Sequence, residues 1–185
     1  MKKMIFTLAM VFGLTSVVNA QQAGKVWVGG SVGFETSKIT DGNRTTSYNI
    51  LPEVGYNMTD NFGLAIRLGY AHDEINVGAQ KQKLDGFVVN PFARYSFLKG
   101  NLGGLFVDGG VGYTYGKNKT TSVKSHELEV GFRPGVALNV SDKVALTGRF
   151  GFLGYQYEKL GSQKTNTFGF DFDMRQVQLG VNILF

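Results

Sequence analysis

Seven charged residues spread along the chain could form one reactive or structural cluster if the fold brings them together. They are three carboxylates and four arginines: Glu53, Asp108, Glu129, Arg67, Arg94, Arg133 and Arg149. Such a set suits a proton relay or an anionic substrate, but it also suits a structural network, because a buried charge needs an opposite charge and hydrogen bonds. Arginine is the usual structural partner, since it stays charged and binds a carboxylate through two hydrogen bonds. Buried networks of this kind are more often structural, so a network is the favoured interpretation.

The two histidines are the second set of candidates. His72 precedes Asp73, and His126 lies between Ser125 and Glu127. A histidine with a serine and an acid is the arrangement for nucleophilic hydrolysis or acyl transfer. Adjacent residues on a strand point to opposite faces, so His126 cannot form a triad with its own neighbours. We therefore expect no catalytic residue, and no motif indicates a cofactor or a metal ion.

Basic residues predominate in four hydrophilic segments, near residues 38–46, 76–85, 117–124 and 158–167. The basic residues are Lys38, Arg44, Lys81, Lys83, Lys117, Lys119, Lys124, Lys159 and Lys164, against Asp41, Asp85 and Glu158. Lysine in a loop usually serves solubility, but a basic rim can also bind phosphate groups. The sequence leaves these two interpretations open.

The elements that would position these residues are short segments with a period of two. In each segment, large apolar residues alternate with glycine, alanine, serine, asparagine or a charge, which is typical of a strand. The predicted strands cover residues 26–35, 48–57, 62–71, 87–97, 105–115, 128–140, 144–152 and 176–185. Before the last strand, Phe168, Phe170, Phe172 and Met174 follow the other parity, which predicts a bulge near Arg175 or aromatic residues above a membrane.

The connections between the predicted strands alternate between short and long. Tight turns at residues 59–61, 99–101 and 141–143 alternate with the four hydrophilic segments. A soluble barrel or sandwich would place the large side chains inside, but its exterior would not be so rich in glycine. The pattern predicts an all-β fold, an eight-stranded antiparallel up-and-down transmembrane β-barrel. Eight strands leave a lumen that side chains can fill, and the further lumen candidates are Trp27, Phe92, Phe106 and Tyr155.

Composition and the N-terminal residues indicate the cellular compartment of the protein. The 185 residues include 26 glycines and no cysteine, which excludes disulfides, thiolate metal sites and lipidated cysteines. Lys2 and Lys3, an apolar run and Ala20 predict a cleaved signal peptide over residues 1–20, followed by one barrel domain over residues 21–185. Removing those two lysines leaves 17 of the 19 basic residues against 14 acidic ones. This small excess in an exported chain argues against a nucleic-acid partner.

The C-terminal residues carry a resemblance to a known family. Gln178-x-Gly180-x-x-Ile183-x-Phe185 resembles the signal by which the barrel-assembly machinery recognises a last strand. Residues 90–95 and 133–135 also resemble strand segments of the small bacterial outer-membrane β-barrel domain family, which includes OmpX-like and OmpA-like barrels. The resemblance implies a monomer in the outer membrane that contacts lipid and lipopolysaccharide. Both termini would be periplasmic and the long loops extracellular.

The family has no single activity, so three function classes remain. They are a structural or surface-interaction protein, a narrow small-solute channel, and a lipid A-modifying enzyme. A filled lumen argues against the channel, and the missing triad argues against the enzyme. The first class is therefore favoured.

Overall fold

The computed structural model of the protein describes residues 23–38, 44–77, 80–119, 123–171 and 177–185. The predicted signal peptide and the predicted bulge near Arg175 lie outside these ranges. The strand segments are β1 (Val26–Lys38), β2 (Arg44–Asn57), β3 (Phe62–Val77), β4 (Gln80–Gly100), β5 (Gly103–Asn118), β6 (Lys124–Asn139), β7 (Val144–Arg149), β8 (Phe152–Leu160), β9 (Gln163–Asp171) and β10 (Gln178–Leu184). Within the described ranges, no helix is long and apolar enough to cross a membrane.

The strands form one antiparallel sheet that closes on itself. From β1 to β6, each strand pairs with the next in chain order. β6 then pairs with β7 over one half and with β8 over the other, while β10 and β9 continue the sheet beside them. The barrel closes where β10 pairs with β1, from Trp27↔Leu184 to Gly33↔Gln178. β7 with β8 and β9 with β10 are each one interrupted barrel strand, so the predicted closed, eight-stranded antiparallel barrel is confirmed.

The interruption between β7 and β8 is a bulge of one residue. β6 advances three positions from Phe132 to Gly135, while its partner advances four, from Arg149 to Leu153. Gly151 lies in the bulge with a φ of 71°, a conformation that glycine adopts without strain. One extra residue exchanges the inner and outer faces of the strand beyond it.

The bulge overturns two assignments made from the sequence. Phe152 has the sequence parity of Val144 and Leu146, which predicts an outward side chain, but it is 8% exposed and points into the lumen. Tyr155, predicted to line the lumen, is 38% exposed on the outer face, where its hydroxyl donates to Asn166 Oδ1 at 2.7 Å. Both predictions are wrong because they continued the alternation of β7 through the bulge.

The hydrophilic segments are mostly strand. The predicted long loop over residues 158–167 is wrong, because β8 and β9 continue as a hairpin that pairs Leu160 with Gln163. Gly161 makes this tight turn with a φ of 60°. β3 and β4 likewise pair as far as Val77 and Gln80. We call this the hairpin end of the barrel, and we call the opposite end, with its turns at residues 58–61, 101–102 and 140–143, the turn end.

Large apolar side chains face outward around the barrel between these two ends. Among the most exposed, at 55–66%, are Val32, Phe34, Ile50, Phe87 and Phe132. On β4 and β5 this apolar band covers residues 87–97 and 105–115. About 11 residues at ~3.3 Å each, tilted by ~45°, span about 25 Å, the height of the apolar band of an outer-membrane barrel. Exposing this apolar surface to water would cost free energy, so the band indicates a lipid environment.

Aromatic rings inside the barrel lie against glycines. A Cβ atom added to Gly55 would lie 2.1 Å from Cζ2 of Trp27, and one added to Gly135 would lie 2.3 Å from Cζ of Phe106. Both aromatic residues are 2% exposed. Inner-face glycines therefore create the space into which the rings pack.

Candidate functional site

Five charged side chains meet in the lumen, and we call them the lumen plug: Glu53, Arg67, Arg94, Asp108 and Arg149. They come from β2, β3, β4, β5 and β7, one from each strand. Alternation along each strand turns them inward. None exposes more than 4% of its side chain. Five of the seven charges predicted from the sequence are thus gathered into one cluster.

Asp108 is bound by all three arginines of the plug. Its Oδ1 accepts a hydrogen bond from Arg94 Nε at 2.7 Å, and its Oδ2 accepts one from Arg94 Nη2 at 2.8 Å. Oδ2 also accepts from Arg149 Nε at 2.8 Å and from Arg67 Nη2 at 3.4 Å. The bidentate contact with Arg94 is the geometry in which a guanidinium binds a carboxylate most specifically.

Glu53 is the second carboxylate to which the arginines of the plug donate. Its Oε2 accepts from Arg149 Nη2 at 2.7 Å and from Arg67 Nε at 3.2 Å. Its Oε1 accepts from the indole nitrogen of Trp27 at 3.3 Å, and Arg94 Nη2 lies 3.6 Å from the same oxygen. Each carboxylate therefore contacts three guanidinium groups, and the contacts link β2 to β7 across the lumen.

The remaining two predicted charges lie beside the plug and connect to it through Asn90. The Asn90 side chain accepts from Arg67 Nη1 at 3.4 Å and donates to Glu129 Oε1 at 3.2 Å. Glu129 Oε2 in turn accepts from Arg133 Nη2 at 2.5 Å. The guanidinium carbon of Arg133 lies 4.6 Å from the ring centroid of Phe152. Sequence reasoning missed Asn90 as a bridge, although its inward parity on β4 was available as a signal.

Aromatic rings stabilise the excess positive charge of the plug. Three arginines face two carboxylates, a net charge of +1. The guanidinium carbon of Arg94 lies 4.2 Å from the ring centroid of Phe106, and that of Arg67 lies 4.4 Å from the centroid of Phe92. The ring faces are negative, so they stabilise a cation that has no carboxylate to itself.

The chemistry available to the plug is restricted. Arginine does not give up its proton near neutral pH, so it cannot relay one. Both plug carboxylates already accept from several guanidinium groups and are held in their charged form. The geometry therefore favours a structural network over a proton-transfer site.

His72 lies on the outer surface, at the hairpin end. Its Nδ1 contacts a carboxylate oxygen of Asp85, to which the hydroxyl of Tyr70 also donates. The ammonium group of Lys119 contacts the second oxygen of Asp85, and the ring of Tyr48 lies 4.9 Å from that of His72 between centroids. The hydrogen bonds from Lys119, Tyr70 and His72 hold the pKa of Asp85 well below its usual range. The cluster ties β3 to β4 and to Lys119, which follows the end of β5.

His126 lies on the same outer surface but on β6. Its Nδ1 is 2.8 Å from the hydroxyl of Tyr113, and its ring centroid is 5.2 Å from that of Tyr115. Ser125 is 6% exposed, on the inner face. His126 and its neighbour Ser125 therefore point to opposite sides of the barrel wall, as the alternation of a strand requires.

Comparison with known proteins identifies the family. The family described as outer membrane protein beta-barrel domain matches residues 4–185. The chain belongs to this family. No curated protein sequence matches it. The protein is thus an outer-membrane barrel protein, consistent with the apolar band.

Solved outer-membrane barrels have a similar structure. Neisserial surface protein A (NspA) has 17% identity and a TM-score of 0.57, over 88% of this chain and 99% of that chain. The outer membrane protein OprG from Pseudomonas aeruginosa has 13% identity and a TM-score of 0.55, over 91% and 99%. The attachment invasion locus protein Ail of Yersinia pestis has 12% identity and a TM-score of 0.50, over 89% and 100%. At these identities the likeness shows the fold.

The last strand of this outer-membrane barrel carries the predicted assembly signal. Gln178 and Gly180 pair with β1 on one side and with β7 on the other, and so does Ile183. Phe185 donates its backbone N–H to the carbonyl of Val26 at 2.8 Å, and the residue is 65% exposed. These residues complete the closing seam, and their role in assembly stays a prediction.

Inward-facing carboxylates gather toward the hairpin end of the lumen. Glu129, Glu158 and Asp73 lie close enough to Glu127 for their negative charges to act on it. Glu127 faces Glu158 directly across the β6–β8 pair. The hairpin-end opening of the lumen is thus acidic, whereas the plug beneath it has a positive excess.

Proposed function

We propose that the protein is a closed outer-membrane barrel with a structural and surface-interaction role, neither a solute channel nor an enzyme. The lumen plug is the observation that carries this proposal, because side chains from five strands meet and fill the lumen. An eight-stranded lumen leaves little space beside such side chains. The outward position of His126, away from Ser125, gives no support to a lipid A-modifying triad.

The proposal includes an orientation and a set of partners. The turn end, with both ends of the described chain, would face the periplasm, and the hairpin end would extend beyond the cell surface. The apolar band on the outside of each strand suits a monomer surrounded by lipid. The assembly machinery would be a partner only during biogenesis, through the last strand.

A group of exposed lysines at the hairpin end supports contact with lipopolysaccharide. We call Lys117, Lys124, Lys159 and Lys164 the basic patch. Lys117 pairs directly with Lys124, and Lys159 pairs with Lys164. All four are exposed, and none forms a salt bridge within the described ranges. Like charges directly opposite each other are destabilising, so an anionic partner would relieve a repulsion built into the hairpins.

Lipid A phosphates are suitable anions for this patch. Lys159 and Lys164 lie level with His126, and Lys117 and Lys124 lie two residues further along their strands, at the edge of the apolar band. Phosphate headgroups of the outer leaflet lie at this height beside a barrel. The proposed surface interaction is therefore first an interaction with the surrounding lipopolysaccharide.

The test of the closed lumen is electrical. We expect purified, refolded protein to show little stable conductance in a planar lipid bilayer, because the plug crosses the lumen. The double variant Arg94→Ala/Asp108→Ala tests whether the plug blocks the lumen. It removes two side chains of the plug while keeping the net charge of the plug unchanged. We expect this variant to conduct more than the parent. Stable channels in the parent that pass sugars or amino acids would overturn the proposal in favour of a channel.

A further inference from the structure

A small cavity lies at the turn end of the lumen, beneath the plug. Its volume is about 70 Å³, and Trp27, Asn57, Lys99, Lys143 and Thr147 are among the residues that line it. A buried water needs about 10–15 Å³ of such space, so the cavity has room for roughly five waters or for a smaller number of waters with an ion.

Buried polar atoms around this cavity have no partner in the described part of the chain. Asn57 is 0% exposed, and neither its amide nitrogen nor its amide oxygen is hydrogen-bonded. The hydroxyl of Thr147 and the amide oxygen of Asn182 are also without a partner. A buried polar group without a hydrogen bond costs about 1–3 kcal/mol, so these side chains favour a polar guest.

The charge around the cavity has one sign. Arg94, Lys99 and Lys143 line it, and no carboxylate of the described ranges does. Lys99 Nζ has no hydrogen-bond partner, and burial lowers the pKa of Lys99 while the nearby Asp60 opposes this effect. Above the cavity, the plug has a net charge of +1, and Arg149 Nη1 is without a partner. The guest that suits this lining is negatively charged.

We propose that the turn-end cavity is a binding site for a small inorganic anion of the size of chloride or phosphate. Lys99 and Lys143 would supply the charge, and the side chains of Asn57 and Thr147 would donate hydrogen bonds. The amide of Asn57 can rotate to present its NH₂ group, since both of its polar atoms are free of other bonds. A phospholipid headgroup, with its glycerol and chains, does not fit a volume of about 70 Å³. This site is separate from the proposed contact with lipopolysaccharide at the other end.

Trp27 provides the test, because it is the protein's one tryptophan and its ring lines the cavity. Iodide and caesium both quench tryptophan fluorescence on contact, but they carry opposite charges. In folded protein in detergent at constant ionic strength, we expect iodide quenching to saturate and to be at least about tenfold more effective than caesium quenching. Chloride or phosphate should displace iodide and restore the fluorescence, whereas a phosphate-bearing lipid should not.

Variants separate anion binding from simple hydration. Lys99→Gln/Lys143→Gln should weaken iodide quenching at least about tenfold, equivalent to ~1.4 kcal/mol. The control Lys25→Gln/Lys83→Gln removes the same charge from exposed positions outside the cavity and should quench like the parent. If the first double variant does not fold, Lys143→Gln alone should show a smaller loss.

Three outcomes would overturn the anion site. The first is unsaturable quenching by iodide and caesium with equal strength, which would mean that the cavity holds only water. The second is equal iodide quenching in parent and Lys99→Gln/Lys143→Gln, and the third is a failure of both chloride and phosphate to compete. Conductance is not part of this readout, so a conducting barrel would contradict the proposed closed lumen without affecting this test.

Discussion

Glu53 and Asp108 are the residues on which the lumen plug depends most. Arg67 and Arg149 donate to both of them, and Arg94 donates to Asp108 while lying 3.6 Å from Glu53. Two carboxylates thus satisfy three guanidinium groups. Loss of either carboxylate would leave three buried arginines beside a single acid, which is far more costly than the loss of an exposed ion pair.

Glu53→Gln should therefore destabilise the folded barrel strongly. We expect the free energy of unfolding to fall by about 3–5 kcal/mol, because a buried ion pair loses one partner. Urea unfolding of the refolded protein in detergent, followed by gel mobility, measures the change. Glu158→Gln is the control, since Glu158 is exposed, and it should change stability by less than about 0.5 kcal/mol. Identical unfolding midpoints for the two variants would contradict the role given to Glu53.

The sequence places a side chain on the inner or outer face of the barrel correctly only where the alternation along its strand is uninterrupted. Trp27, Phe92 and Phe106 were assigned to the lumen by parity, and all three are at most 5% exposed. Phe152 and Tyr155 were assigned to the wrong faces because a bulge precedes them. Alternation gives the face of a residue only as far as the nearest inserted residue.

At the scale of elements, the strands of the apolar band were predictable and the hairpin extensions were not. In the band, burial in lipid selects large side chains at every second position, so the sequence carries the pattern. Beyond the band, as in the β8–β9 hairpin, both faces meet water and polar side chains follow no alternation. Backbone pairing continues through such extensions, as the pair Leu160↔Gln163 shows. Their composition therefore predicted loops.

The basic patch on these hairpins gives a prediction about lipid A. Added to the protein in detergent micelles, lipid A should raise the heat-unfolding midpoint, because its phosphates relieve the repulsion between paired lysines. In Lys117→Gln/Lys124→Gln, the rise should be less than half as large. Gel mobility after heating measures the midpoint with and without lipid A.

The control for the basic patch removes equal charge at the other end of the barrel. Lys25→Gln/Lys143→Gln lies at the turn end and should respond to lipid A like the parent. Without lipid A, Lys117→Gln/Lys124→Gln should be at least as stable as the parent, since a like-charge pair is gone. A full lipid A response in that variant would remove the support for the patch as a phosphate site.

At the scale of the whole molecule, the stagger of the strands decides which inward residues meet. Glu53 and Arg149 are 96 positions apart in the chain and form one of the shortest hydrogen bonds of the plug. Period-two patterns gave the inward face of each strand but not its height relative to the others. The sequence therefore predicted the membership of the charge network, while its pairings, the Asn90 bridge and the turn-end cavity depend on the assembled barrel.

Closure of the barrel also separates two roles of Phe185, one in assembly and one in the stability of the finished barrel. Phe185 is 65% exposed on the outer face, and Phe34 on β1 is similarly exposed at 66%. Each side chain contributes roughly 2–3 kcal/mol at most to the finished barrel, the value for a fully buried phenylalanine. Only Phe185 belongs to the predicted assembly signal. That signal would act before β10 pairs with β1, while the edge of the last strand is still open.

Phe185→Ala should therefore reduce assembly more than it reduces stability. We expect the amount of this variant in the outer membrane to fall several-fold, while Phe34→Ala reaches the membrane at nearly the parent level. After refolding in detergent, the two variants should unfold at similar urea concentrations, since they lose equal area from equivalent lipid-facing positions. Quantitative immunoblots of outer-membrane fractions and urea titrations give the two readouts. If both variants accumulate equally, or if Phe185→Ala alone is unstable in detergent, Phe185 serves the finished seam and the assembly role is lost.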